Sequence, residues 1–155
     1  MSEDNKSARS RMKCREIMTN DVLTTGPDSS IQEVAVMMRD GDMGSVPVVS
    51  DGILSGIVTD RDLVIRVLAN GGNPSTPVSE AMSTELFTVG PDDYVFEAIR
   101  LMGDKQIRRI PVVDDKGGLA GIIAMADIAL ETEDEREIAE TLEEISSGAG
   151  FWKKN

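Results

Sequence analysis

The sequence predicts an α/β protein built from two copies of a strand-helix-strand-strand-helix unit. Two observations carry that expectation. Gly56-Ile57-Val58-Thr59-Asp60-Arg61-Asp62 has a twin, Gly121-Ile122-Ile123-Ala124-Met125-Ala126-Asp127, and each reads as a short β-branched strand passing into a helix headed by an acid. The likeness also extends far beyond that element. Gly26-Pro27-Asp28 recurs as Gly90-Pro91-Asp92, Glu33 as Glu97, Met38 as Met102 and Pro47-Val48-Val49 as Pro111-Val112-Val113, all 64 residues apart. An extra residue in Asp114-Asp115-Lys116-Gly117-Gly118 lengthens the later interval to 65. A long period repeated twice is too sparse for a solenoid, so two halves that pack on each other are expected.

Each element of the unit has its own signal. A short helical turn over Cys14 to Met18 precedes a brief strand, Val22 to Thr24, which Gly26-Pro27 closes. Ser30 with Glu33 has capping-box spacing, and Ile31, Val34, Ala35 and Met38 fall on one face of the helix that follows. Val46 to Val49 and Ile53 to Val58 form a hairpin across Ser50-Asp51-Gly52. Thr59 stands at the N-cap of the next helix, which Gly71-Gly72-Asn73-Pro74 stops. The second copy gives Phe87 to Val89, a helix over Val95, Ala98, Ile99 and Met102, then Ile110 to Val113, Leu119 to Ile123, and Asp127 onward. The resulting division is a mobile tail at 1–12, repeats at 13–70 and 77–130 with a linker at 71–76, and an acidic helix with an aromatic tail at 131–155. In that last part Thr132 and Glu135 form a capping box and Ile138, Leu142 and Ile145 line one face. Phe151-Trp152 docks on its own domain, engages a partner protomer or stays exposed.

Composition narrows the function. The 155 residues carry a formal charge of −12 and 3% aromatic residues, which argues against nucleic-acid binding through phosphates or base stacking. No apolar run is long enough to span a bilayer, and the start lacks a secretory signal's hydrophobic stretch. The single cysteine, Cys14, precludes an intramolecular disulfide and fits a cytoplasmic setting. It is read as a small apolar residue at a helix start rather than an activated thiolate. The sequence has no histidine, which excludes Ser-His-Asp and Cys-His catalysis and any His-ligated metal. No pair of carboxylates is placed as acid and base, so a non-enzymatic protein is expected.

Two groups remain as candidate sites. Thr59 and Asp62 have the spacing of a capping box, yet a helix N-terminus beside strand ends also suits a phosphorylated ligand and a carboxylate accepts from ribose hydroxyls. The two roles are compatible. Arg108-Arg109, just before the strand at Ile110, has the chemistry of a phosphate clamp; the alternative is pairing with Asp104 or Glu97 and exposure to water. The matching residues of the first copy are Gly44 and Ser45, so the copies are not equivalent as sites.

These features together resemble a tandem pair of cystathionine-β-synthase (CBS) domains, a Bateman module. The likeness rests on the openings Arg15-Glu16-Ile17-Met18-Thr19 and Ser79-Glu80-Ala81-Met82-Ser83, the turns ending at Asp28 and Asp92, the strands Val46 to Val49 and Arg109 to Val113, and Gly56 to Asp62. It covers roughly Lys13 to Ala129. The resemblance implies two repeats packed sheet to sheet about a pseudo-twofold axis, clefts between them for adenosine-containing ligands (AMP, ADP, ATP or S-adenosylmethionine), and association into a homodimeric disc. The ligand-contacting set it implies is Thr24, Val46, Pro47, Thr59, Arg61, Asp62, Thr88, Arg108, Arg109, Pro111 and Asp127. Thr59 and Asp62 would meet ribose and phosphate, Arg108 and Arg109 phosphate, while Val46 and Pro47, with Thr24 or Thr88, would wall the base. Ala124 departs from the pattern by replacing the hydroxyl residue, so one good cleft and one degenerate cleft are expected. The implied function is a stand-alone sensor signalling to a separate protein partner. The alternative is a ligand-free interaction module acting through the disc interface and the C-terminal helix.

Overall fold

The computed structural model describes residues 11–131. The acidic helix, its capping box at Thr132 and the Phe151-Trp152 tail lie outside the described residues. The chain folds as two compact units, each assembled from separate stretches: one takes Val22–Leu86 and Lys116–Leu119, the other the segments up to Asp21, Phe87–Asp115 and those from Ala120. Among the described residues no helix is long and apolar enough to cross a membrane.

In the unit holding Val22–Leu86, helix α2 (Ile31–Gly41) follows the short α1 (Cys14–Ile17) of the other unit in sequence. Ser30 caps α2 reciprocally: its Oγ accepts from the Glu33 N–H at 3.2 Å while the Glu33 carboxylate accepts from the Ser30 N–H at 3.3 Å. Strands β1 (Ser45–Ser50) and β2 (Ile53–Thr59) form an antiparallel pair in which Val46 faces Val58 and Pro47 faces Ile57. Their two-residue connection, Asp51 at φ 51° and Gly52 at φ 79°, has the paired positive φ angles of a tight hairpin turn. The register shifts after Val48, where Ser55 is the extra residue and its hydroxyl donates to the Val48 carbonyl at 3.1 Å. Helix α3 (Asp60–Asp62) continues as a π-helical stretch, Leu63–Leu68. The core is Val34, Met38, Val46, Val48, Val58, Val67, Val78 and Ala81.

The other unit repeats the plan with α4 (Val95–Lys105), β3 (Arg109–Val113), β4 (Leu119–Ala124) and α5 (Met125–Glu131). Its core gathers Cys14, Val95, Ala98, Ile99, Met102, Ile110, Val112, Ile123 and Ile128. The predicted apolar face of α4 is buried at all four positions, Val95, Ala98, Ile99 and Met102.

Three expectations need correction. The opening strands of both repeats shrink to single parallel bridges, Thr25 to Val48 and Val89 to Val112. Gly26-Pro27 and Gly90-Pro91 turn the chain one residue later, so pairing stops at once. Ala35 is exposed, whereas Ile31, Val34 and Met38 turn at least partly inward. The second helix of the first repeat is widened: the Ala69 N–H donates to the Val64 carbonyl, five residues back, at 2.8 Å. The β-branched Val64, Ile65 and Val67 crowd that stretch, and Arg66 is tied at two points, to Asp62 and to the Met82 carbonyl.

The opening segment of each repeat packs with the sheet of the other. Thr19 and Ile122 exchange backbone hydrogen bonds at 2.9 and 3.1 Å, as Ser83 and Ile57 do at 2.8 and 3.0 Å. The Cys14 N–H donates to the Asp93 carbonyl, and its repeat-mate Val78 donates to Ser29, both at 2.8 Å. Arg15 pairs with Asp92 to hold α1 at its place.

Candidate functional site

The end of β2 and the start of α3 form a closed set of bonds. The Thr59 Oγ accepts from the Asp62 N–H at 3.1 Å, and an Asp62 carboxylate oxygen accepts from the Thr59 N–H at 2.9 Å. The sequence spacing is therefore a true capping box, in which the hydroxyl fills a free helix donor and the carboxylate answers the positive end of the helix. The second Asp62 oxygen lies 3.5 Å from Arg66 Nε. Asp62 keeps 17% of its side-chain surface exposed, enough for one face to meet a ligand.

The neighbouring donors are also engaged. The Asp60 N–H donates to the Gly44 carbonyl at 2.9 Å, and the Arg61 N–H to Asp60 Oδ1 at 2.8 Å. All four N–H groups from Thr59 to Asp62 thus have acceptors within the protein. A phosphate held at a helix N-terminus needs such donors free. What this element presents outward is the Asp60 carboxylate and the Arg61 side chain, with Thr59 and Asp62 partly exposed beside them.

The other unit keeps half of the device. The Ala124 N–H donates to an Asp127 carboxylate oxygen at 3.0 Å, but Ala124 has no hydroxyl to return the bond. The Met125 N–H donates to the Arg108 carbonyl at 2.9 Å, matching the bond from Asp60 to Gly44. Here the first helical residue is the buried Met125 instead of an acid, and exposed Arg108 stands where the other unit has glycine. Equivalent backbone carries opposite charge.

The expected ligand residues divide between the units. Thr24, Val46, Pro47, Thr59, Arg61 and Asp62 lie in one and Thr88, Arg108, Arg109, Pro111 and Asp127 in the other. Within each, the strand proline is tied to the repeat start: the Thr25 N–H donates to the Pro47 carbonyl at 3.0 Å and the Val89 N–H to Pro111 at 3.1 Å. Thr24, Thr88, Arg61, Arg108 and Arg109 are exposed. The Val46 side chain is wholly buried in the core, with 0% exposure. Cys14 is buried among apolar side chains and close to Asp93 and Glu97, which pushes its thiol from 9.0 up to about 12. It is inert packing, as its sequence position suggested.

Sequence reasoning missed Asp60 and Gly44 as parts of this geometry. Asp60 was visible inside the repeated element, and its replacement by Met125 in the twin was the signal that could have found it. It also missed the tether of Arg66 to Asp62, since the widened helix turn that accompanies it leaves no pattern of its own.

Comparison with known proteins agrees with this architecture. The CBS domain family matches at residues 14–69 and 78–134. The chain belongs to the CBS domain family and carries two of its domains in tandem. A curated relative, the CBS domain-containing protein YhcV of Bacillus subtilis, is 41% identical over 132 residues, covering 85% of this chain and 94% of that protein. The solved structure of Hypoxic Response Protein I with two coordinated zinc ions is 33% identical, with a TM-score of 0.72 over 78% of this chain and 99% of that one. A His- or Cys-ligated zinc has no donor set here, where histidine is absent and the one cysteine is buried. The CBS domain pair of protein MJ0100, solved in complex with 5′-methylthioadenosine and S-adenosyl-L-methionine, is 26% identical, with a TM-score of 0.68 over 77% of this chain and 94% of that one.

Proposed function

We propose that this chain is a regulatory, non-enzymatic CBS-pair protein of the cytoplasm that binds an adenosine-containing ligand and signals its occupancy to a separate protein partner. The observation that carries this reading is the reciprocal cap at Thr59 and Asp62. It fixes a partly exposed carboxylate at a strand end, where ribose hydroxyls can donate to it, in a family one of whose members holds two adenosyl compounds. Occupancy acts on a partner only through differential affinity for two arrangements of the protein. The ligand is regulatory, and no cofactor is required for the fold.

A thermal-shift screen tests the reading, because a ligand that binds only the folded state raises its stability by mass action. The full chain is heated with AMP, ADP, ATP, S-adenosylmethionine and 5′-methylthioadenosine, with and without Mg²⁺. A rise of several degrees for at least one compound is expected; no shift for any at millimolar concentration contradicts the reading.

A second reading, an interaction module, has its own observation. A cavity of about 310 Å³ lies between α2 and Leu63–Leu68, lined by Ile31, Ala35, Leu63, Val64, Val67 and Leu68. Beside it Val64, Ile65 and Leu68 stand 51%, 51% and 67% exposed. Such an apolar strip suits burial against a second copy of the chain in a homodimer.

A further inference from the structure

Independently of the adenosyl reading, we propose that the exposed face of α4 formed by Tyr94, Phe96 and Arg100 is a docking surface for this chain's own acidic segment, residues 132–145. The three side chains form a stack. The Tyr94 and Phe96 rings lie 5.9 Å apart and 10° from parallel, and the Arg100 guanidinium sits 5.7 Å from the Phe96 ring centroid. All three are exposed, although the chain has only five aromatic residues to place. The matching residues of α2 are Ser30, Gln32 and Val36, so the repeat plan itself does not call for a stack here. Tyrosine and arginine are also the residue types that most often anchor protein contacts.

The path of the chain points to the occupant. In the first repeat the chain leaving Leu63–Leu68 returns across the start of α2: the Gly72 N–H donates to the Val67 carbonyl at 2.9 Å and the Gln32 N–H to the Pro74 carbonyl at 3.2 Å. In the second repeat α5 takes that helix's place, and its Ile128 shares one core with Cys14 and Val95. The chain past Glu131 therefore leaves α5 beside the start of α4, where Tyr94 and Phe96 stand. Ile138, Leu142 and Ile145 then have the spacing of one helical face. A helix that short holds in water only when such a face is covered. Charge fits as well, since residues 133–144 carry seven acids and one cation, Arg136. The acids around the stack are already committed: Asp92 to Lys13 and Arg15, Asp93 to the Gly90 N–H, and Glu97 to the Tyr94 N–H. Exposed Arg11 lies beside the start of α4, because its neighbour Met12 accepts from the Val95 N–H. Among the described residues neither Arg11 nor Arg100 pairs with a carboxylate, and both answer the segment's charge.

The test is paramagnetic relaxation in the full chain carrying a nitroxide at Ser146→Cys; Cys14 is buried and takes no label. The amides of residues 94–100 are expected to broaden when isotope and nitroxide share one chain. They should stay sharp in a mixture of isotope-labelled chains without nitroxide and nitroxide-labelled chains without isotope. Leu142→Asp should abolish the broadening. Phe96→Gln combined with Arg100→Val installs the first repeat's residues at exposed positions, and a matching melting curve verifies that the fold is kept. This double variant should weaken docking about fivefold or more. Broadening that appears only in the mixture would hand the surface to a second copy and overturn the proposal. Broadening that is absent, or that persists undiminished both in Leu142→Asp and in the α4 double variant, would overturn it as well.

Discussion

Gly56 and Met82 touch so closely that the glycine admits no side chain: a Cβ at residue 56 would lie 2.7 Å from the Met82 sulfur and 2.9 Å from the Ser83 carbonyl oxygen. Gly121 stands in the same relation to Met18, at 2.8 Å from its sulfur, and to the Thr19 carbonyl oxygen at 2.7 Å. The glycines that open the twin elements are therefore the places where the opening segment of one repeat lies on the sheet of the other. Overpacking of this kind costs about 1–3 kcal/mol. Gly56→Ala and Gly121→Ala should each lower stability in urea unfolding by about that amount. A neutral result would show that these backbones yield freely.

The cap at Thr59 and its missing counterpart give a matched pair. Thr59→Ala should destabilise by about 0.5–2 kcal/mol, and Thr59→Ser should restore most of it. Ala124→Thr supplies the absent hydroxyl above Asp127 and should stabilise by roughly half a kcal/mol or more. Urea denaturation of the three variants measures all of these.

Cys14 predicts a slope at alkaline pH. Its thiol is raised to about 12 in the folded protein from 9.0, because burial disfavours the thiolate. The unfolded chain releases that proton first, so the contribution to stability is complete below pH 9 and is lost as pH rises from 9 towards 12. Cys14→Ala should flatten the fall in stability above pH 9, and native wild type should resist thiol reagents at neutral pH until it unfolds.

The exposed apolar strip should report on self-association. Leu68→Asp places a charge on a residue 67% exposed, so it leaves the core intact. Analytical ultracentrifugation is expected to show a shift towards monomer for this variant, with an unchanged melting curve at low concentration. An unchanged sedimentation profile would remove that strip from any interface between copies.

The repeats, the hairpins and the caps were legible because each rests on local chemistry: Asp51-Gly52 for the turn, Ser30 with Glu33 and Thr59 with Asp62 for the helix starts. The opening strands misled because Val22 to Thr24 has strand propensity but the Gly26-Pro27 turn leaves only Thr25 to pair. Ala35 carries too little apolar surface to decide which way it faces, and it ended outside the core. The crossing of Met18 and Met82 onto the other repeat's sheet is a long-range relation with no local signal; only their matching places in the openings Arg15 to Thr19 and Ser79 to Ser83 hinted at a shared role. At the site, the spacing revealed the cap but not that its donors were all satisfied, which depends on the Gly44 carbonyl arriving from β1.

The central claim, that an adenosyl ligand sits at the Thr59–Asp62 element, is tested most directly by amide chemical-shift mapping of the 155-residue chain during titration with 5′-methylthioadenosine. Saturable shifts that include Thr59 to Asp62 and Gly44 to Val46, and that vanish in Asp62→Asn, are the expected result. Shifts confined to other residues, or an undiminished response in Asp62→Asn, would contradict it.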